Sequence, residues 1–143
     1  MRFLVTTDGS PRSRGVIAHA ARLATATGAE LTLMRVLDPR LDLADEPAST
    51  VAEATGRVAA RWTRDLGRVA KGAGAPTTPL VTVKERREDI SATILRVAGE
   101  QQAALICMAT RGQGLVRDAL LGSVATGVLR GASVPLLLAG ERI

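Results

Sequence analysis

Leu105-Ile-Cys-Met-Ala-Thr-Arg-Gly112, followed nine residues later by Gly122-Ser123, is the stretch that decides the fold. Its first four residues form an apolar run of the kind covered on both faces of a sheet. Ser123-Val-Ala-Thr-Gly-Val-Leu-Arg130 then opens an amphipathic helix. Five glycines fall between residues 112 and 131, more than one turn requires. A strand, a glycine-containing loop and a helix N-terminus in that order form an anion site. The small residues let a ligand approach the backbone, and the free N–H groups and dipole of the helix start favour phosphate. The stretch implies an α/β chain that holds a phosphorylated small molecule.

Outward from it, strands and helices alternate along the whole chain. Arg2 to Thr6 reads as a first strand, stopped by Asp8-Gly-Ser-Pro11. Ser10 is placed to cap a helix that begins at Pro11, with Val16, Ile17, Ala20, Leu23 and Ala24 at helical spacing and Gly28 as its end. Leu31 to Leu37 is a second strand, and Asp38 to about Ser49 reads as an exposed connection. A helix is expected over residues 50–70, its buried face marked by Val51, Ala54, Val58, Trp62, Leu66 and Val69. Leu80 to Val83 is the third strand. Asp89 caps the next helix, with Ile90, Ile94, Leu95 and Val97 as its apolar face. Strand four is Leu105 to Met108, and strand five is Val134 to Leu138.

This order predicts a single-domain α/β fold of Rossmann-like type: one open five-stranded parallel sheet with helices on both faces. Ligands of such sheets bind beyond the carboxyl ends of the strands, where the strand order switches. Thr6-Thr-Asp-Gly-Ser10, Val36-Leu-Asp38 and Met108 to Gly114 all lie at such ends.

Composition excludes several classes. At 143 residues and 46% apolar, the chain suits one globular domain. No apolar run nears the roughly 20 residues of a membrane span. Asp8 and the lack of a cleavage-type site argue against a signal peptide. A single cysteine, Cys107, rules out an internal disulfide and fits a cytoplasmic setting, and with one histidine it leaves no ordinary zinc ligand set. The net charge is +5, and Lys71 and Lys84 are the only lysines among 19 basic residues. Such an arginine bias reflects a GC-rich genome more than nucleic-acid binding. Phe3 and Trp62, the sole aromatics, offer no stacking platform for single strands.

Thr6-Thr-Asp-Gly-Ser10, Glu88-Asp-Ile-Ser-Ala-Thr-Ile-Leu95, Leu105 to Gly112, Leu120-Leu-Gly-Ser-Val-Ala125 and Val134 to Leu138, in this order, resemble the universal stress protein family over nearly the whole chain. The resemblance implies a universal stress protein domain over residues 1–143 with an adenine nucleotide α-hydrolase-like fold. In the ATP-binding branch of that family the motif runs Gly, two residues, Gly, nine residues, Gly, then Ser or Thr. Gly112, Gly122 and Ser123 match it, and Ala109 replaces the first glycine.

By that resemblance, adenine lies against Val36 and near Asp8 and Thr6. The ribose lies over Ala109, Thr110, Arg111, Gly112, Gln113, Gly114 and Leu115. The phosphates meet Gly112, Gly114, Ser123, Val124 and Ala125. The implied ligand is ATP, or ADP or AMP. From the residues themselves, Asp38 or Asp8 could hold Mg²⁺ with the phosphates, although no dense carboxylate cluster stands at a strand end. A positive φ at Ala109 would strain its Cβ by about 1 kcal/mol, whereas an ordinary φ would leave only a methyl narrowing the gap.

The implied function is adenine-nucleotide binding by a regulatory stress-response protein that works as a homodimer through Val134–Leu138 and acts on an unidentified protein partner. No nucleic-acid or membrane partner is expected. The alternative is a nucleotide-free dimerisation and interaction module of the same family. An enzyme is not expected beyond slow ATP hydrolysis. There is no recognisable Ser-His-Asp set and no Gly-x4-Gly-Lys-Ser/Thr loop, and Thr7-Asp-Gly-Ser10 lacks the Ser-Gly-Gly-x-Asp-Ser pattern of ATP pyrophosphatases.

Single residues carry plainer readings beside these. Asp8 suits an Asx turn as well as a ribose or adenine contact. Ser123 suits an N-cap as well as a phosphate. Arg111 is either a solvated loop arginine or a phosphate ligand. Arg57, Arg61, Arg64, Arg68 and Lys71 form a stripe that reads as a solvated face or the dock for an acidic partner. His19 reads as structural or surface, Cys107 as a buried apolar residue, and Trp62 as core.

Overall fold

The computed structural model describes residues 1–110 and 121–140. The elements are β1 (Arg2–Thr6), α1 (Arg14–Thr27), β2 (Glu30–Leu37), α2 (Pro39–Asp42), α3 (Val51–Lys71), β3 (Thr77–Val83), α4 (Ile90–Glu100), β4 (Leu105–Ala109), α5 (Ser123–Gly131) and β5 (Leu136–Ala139). The five strands form one parallel sheet in the order β3-β2-β1-β4-β5. The chain is thus an α/β Rossmann-like domain, as its alternating pattern predicts.

Alternation along the strands splits the core in two. Phe3 and Val5 of β1, Leu31 and Leu33 of β2 and Cys107 of β4 face one side, where Val16, Ile17, Ala20, Ala21 and Ala24 of α1 and Leu66 of α3 cover them. Leu4, Met34, Ile106 and Met108 face the other side, under Ile94, Val97 and Ala98 of α4 and Ala125 and Val128 of α5. The period of two in the strands and the stripes on the helices fit only with helices on both faces. Burial pushes the Cys107 thiol up to about 12, so it is an inert core residue.

Local chemistry sets the element ends. Gly28 closes α1 in the left-handed region at φ 72°. The Thr50 hydroxyl accepts the Glu53 N–H at the start of α3, and the Asp89 carboxylate accepts the Ala92 N–H at the start of α4. Ser10 holds the expected cap position, but its hydroxyl makes no capping bond, and a 3₁₀ turn over Pro11–Ser13 precedes α1. β3 begins before Pro79, which pairs with Leu33 on the sheet's outer edge. An edge strand tolerates a residue without an N–H, so the proline does not delay the strand.

Three expectations are corrected. The 38–49 connection is not simply exposed: it contains α2, Asp38 is buried, and the Glu46 side chain is only 11% exposed between Arg57 and Arg61. The stripe on α3 is therefore used in part within the chain, at 3.5 and 3.3 Å from Glu46. On the inner face of α3, Val51 is 65% exposed and Val69 36%, and Ala70 is buried instead. A helix of 21 residues runs about 31 Å against about 23 Å for the seven-residue β3, so its first turn overhangs the sheet. Leu23 of α1 likewise lies at the margin, with Ala21 buried in its place.

No helix of the described residues is long and apolar enough to cross a membrane. His19 is exposed on α1, with its Nδ1 3.1 Å from Arg22.

Helices α4 and α5 approach closely at Gly127. A Cβ there would collide with the Ser91 side chain, whose hydroxyl donates to the Val124 carbonyl at 3.0 Å. Gly127→Val is expected to lower stability in urea by about 1–3 kcal/mol, with partial recovery when Ser91→Gly is added. Equal midpoints for the parent and the single variant would refute the contact.

Candidate functional site

A cavity of about 320 Å³ opens at the carboxyl ends of β1, β2 and β4, where the strand order reverses between β1 and β4. That volume suits a small molecule. Thr6, Thr7 and Asp8 reach it from β1, Arg35, Val36 and Asp38 from β2, and Met108, Ala109 and Thr110 from β4. Gly122, Ser123, Val124 and Ala125 close it at the N-terminus of α5, with Ile90 and Ile94 of α4 as an apolar wall.

The structure therefore brings together Thr6, Asp8, Val36, Ala109, Thr110, Gly122, Ser123, Val124 and Ala125, as expected. Arg111, Gly112, Gln113, Gly114 and Leu115 lie outside the described residues.

The β1 exit is a tightly bonded turn. The Asp8 carboxylate accepts the Ser10 N–H at 2.9 Å, which is the Asx turn. The Thr7 hydroxyl accepts the Gly9 N–H at 3.0 Å and meets the Ser13 hydroxyl, which donates to the Ser10 carbonyl at 2.8 Å. Asp8 thus shapes the turn and borders the cavity at once.

Gly122, not Ser123, is the N-cap of α5; Ser123 is its first residue. No described side chain caps this helix, so its leading N–H groups are available at the cavity wall. The Gly122 N–H is the exception: it donates to the Thr110 carbonyl at 2.6 Å, tying the helix start to the end of β4. Ala109 lies in β4 with an ordinary extended backbone, since Gln102 is the only described non-glycine residue with positive φ. The methyl is therefore unstrained and acts only by occupying space.

Arg35 and Trp62 are site residues that sequence reasoning missed. The Arg35 guanidinium lies 3.4 Å from the centroid of the Trp62 ring, and both border the cavity. Trp62 is thus a cavity wall rather than the core residue expected from its register. The guanidinium also closes over Gly9: a Cβ at Gly9 would fall 2.5 Å from Nη1. Gly9 has φ 81°, so glycine is favoured there by conformation as well as by space. Partial burial holds the Arg35 pKa below its usual value, opposed by Asp42, Asp8 and Asp65. The available signal was one charge inside the apolar strand 31–37.

The arrangement offers donors to an anion at α5, a mixed apolar and polar wall at β2 and carboxylates at the β1 and β2 exits. Among the described residues there is no group of three or more His, Cys, Asp or Glu that could hold a metal ion.

These features define a class: a Rossmann-like α/β protein with a small-molecule cavity at its topological switch point. The chain belongs to the universal stress protein family, whose model matches residues 1–140. It is 31% identical over 136 residues to a universal stress protein of Thermus aquaticus, covering 95% of this chain and 96% of that one. It is 29% identical to one of Mycolicibacterium smegmatis, covering 95% of this chain and 47% of the relative, so it spans about half that protein's length. Among solved structures it superposes on the hypothetical protein MJ0577 with a TM-score of 0.81 at 20% identity, covering 99% and 96% of the two chains. A universal stress protein solved in complex with cAMP gives a TM-score of 0.69 at 23% identity, with 98% and 96% covered.

The clamp on Arg35 predicts the behaviour of Gly9→Ala. Its methyl must displace the guanidinium from the ring, so the emission of Trp62, the only tryptophan, is expected to shift, with a stability loss of about 1–2 kcal/mol. An unchanged spectrum and melting curve would sink this account.

Proposed function

We propose that the chain binds an adenine nucleotide, ATP, ADP or AMP, in the switch-point cavity and works as a homodimeric regulatory protein of the stress response. The observation that carries this reading is the N-terminus of α5, which no side chain among the described residues caps, at a cavity of about 320 Å³ that Val36 also lines. The phosphates would take the N–H groups of Ser123, Val124 and Ala125, and the base would lie toward Val36, Thr6 and Asp8. The relative solved with cAMP supports the ligand class. Mg²⁺, when it accompanies the phosphates, would meet Asp8 or Asp38 at the cavity wall. Slow ATP hydrolysis is compatible with the site and is not required by it.

The dimer reading rests on β5, which is an edge strand with Leu136, Leu137 and Leu138 all partly exposed. A cytoplasmic location follows from the same family reading. The nucleotide-free module remains the competing reading because the Ala109 methyl borders the cavity.

Thermal melting tests the ligand. ATP at about 100 times its dissociation constant stabilises the fold by about 2.7 kcal/mol, a rise of roughly 5–10 °C. Ser123→Glu is expected to abolish the rise and Ala109→Gly to keep or enlarge it. If millimolar ATP, ADP and AMP all leave the parent's melting temperature unmoved, the nucleotide-free module is the correct reading.

A further inference from the structure

A second, open cleft of about 600 Å³ lies beside the main cavity, under the turn between β3 and α4. The two share Asp38, Ile90, Ser123 and Val124, so they meet at the N-terminus of α5. Four basic side chains line the cleft: Arg40, Lys84, Arg86 and Arg87.

Lys84 is 9% exposed. Its Nζ donates to the carbonyls of Glu85 and Glu88 at 3.2 and 2.7 Å, and it makes no ion pair among the described residues. An ammonium has three donors, and a buried charge held only by neutral acceptors favours an anion close by. Three carboxylates share the cleft, Asp38, Glu88 and Asp89, and each accepts from a donor other than Lys84. Glu88 accepts from Arg96 at 2.9 and 3.0 Å, a contact that holds its carboxyl below the usual range. Asp89 caps α4, and Asp38 accepts the Arg40 N–H at 3.0 Å. Arg86 and Arg87 are exposed, and their guanidinium groups have no carboxylate partner among the described residues.

The turn is also fixed in place. The Lys84 N–H donates to the Leu37 carbonyl at 2.8 Å, and Arg40 donates to the Arg86 carbonyl at 3.2 Å. Its basic groups therefore project from an anchored frame.

We propose that this cleft is a second anion subsite that takes the distal phosphates of a polyphosphate chain whose proximal phosphate sits at α5. The proposal rests on the nucleotide reading above and adds chain length as the property that the site reads. A phosphate at Ser123 already stands at the mouth of the cleft. Each further phosphate moves toward Arg86 and Arg87, where charge-assisted hydrogen bonds reward it.

Calorimetric titration of the full chain with AMP, ADP, ATP and adenosine 5′-tetraphosphate, at fixed ionic strength without divalent cations, is the test. Affinity is expected to rise about tenfold or more from AMP to the tetraphosphate. In Arg86→Ala/Arg87→Ala the rise is expected to fall below about threefold while AMP binds as in the parent. Arg22→Ala/Arg64→Ala, which removes the same charge away from both cavities, is expected to keep the parental rise. A flat series in the parent, or a rise that survives in Arg86→Ala/Arg87→Ala or vanishes in Arg22→Ala/Arg64→Ala, overturns the subsite while leaving AMP binding intact. Failure of all four nucleotides to bind would overturn the nucleotide reading itself.

Discussion

Val5 pairs with Leu33 on one side and Cys107 on the other, and all three side chains are closed to water. This triple at the middle of the sheet is the constraint from which the rest follows. Central parallel strands carry helices on both faces, so the middle of β1, Phe3 to Val5, and of β4, Ile106 to Met108, is apolar and buried. The chemistry is displaced to the strand exits, where the chain leaves the sheet and backbone groups come free. Because β1 is flanked by β2 on one side and β4 on the other, its successors diverge there and leave a gap. The cavity is a geometric by-product of burying Val5 and Leu4.

The fold was legible because alternation of strand and helix is written in residue periodicity, and the parallel sheet leaves few other solutions. The cavity was legible at the exits of β1, β2 and β4 for the same reason. Positions such as Ala125 and Val36 could be placed by the resemblance alone, since nothing in their own chemistry singles them out. Arg35 and Trp62 could not be found, because their meeting joins a strand to a helix 27 positions later through a stacking contact that has no sequence period. Lys84 was equally hidden. A lysine after an apolar strand reads as a solvated end, and only the fold of the following turn buries it. The missing cap at Ser10 and the overhang of Val51 are errors of register and length, which depend on how far neighbouring elements extend.

The charge of the site is graded from one end to the other. Near the β1 and β2 exits, the charges of Asp42, Asp8 and Asp65 partly offset the cost of burying Arg35. Under the β3–α4 turn the balance shifts toward positive charge, because Glu88 is paired with Arg96 and Arg40, Lys84, Arg86 and Arg87 make no ion pair among the described residues. A molecule with one neutral aromatic end and one anionic end has a single favourable direction across such a field.

The bond from the Gly122 N–H to the Thr110 carbonyl joins two points of the chain that are 12 residues apart. The N-terminus of α5, which forms one wall of the cavity, is thereby held in register with the carboxyl end of β4. A displacement of β4 along its axis would carry that wall with it, so the depth of the cavity is tied to the register of the sheet.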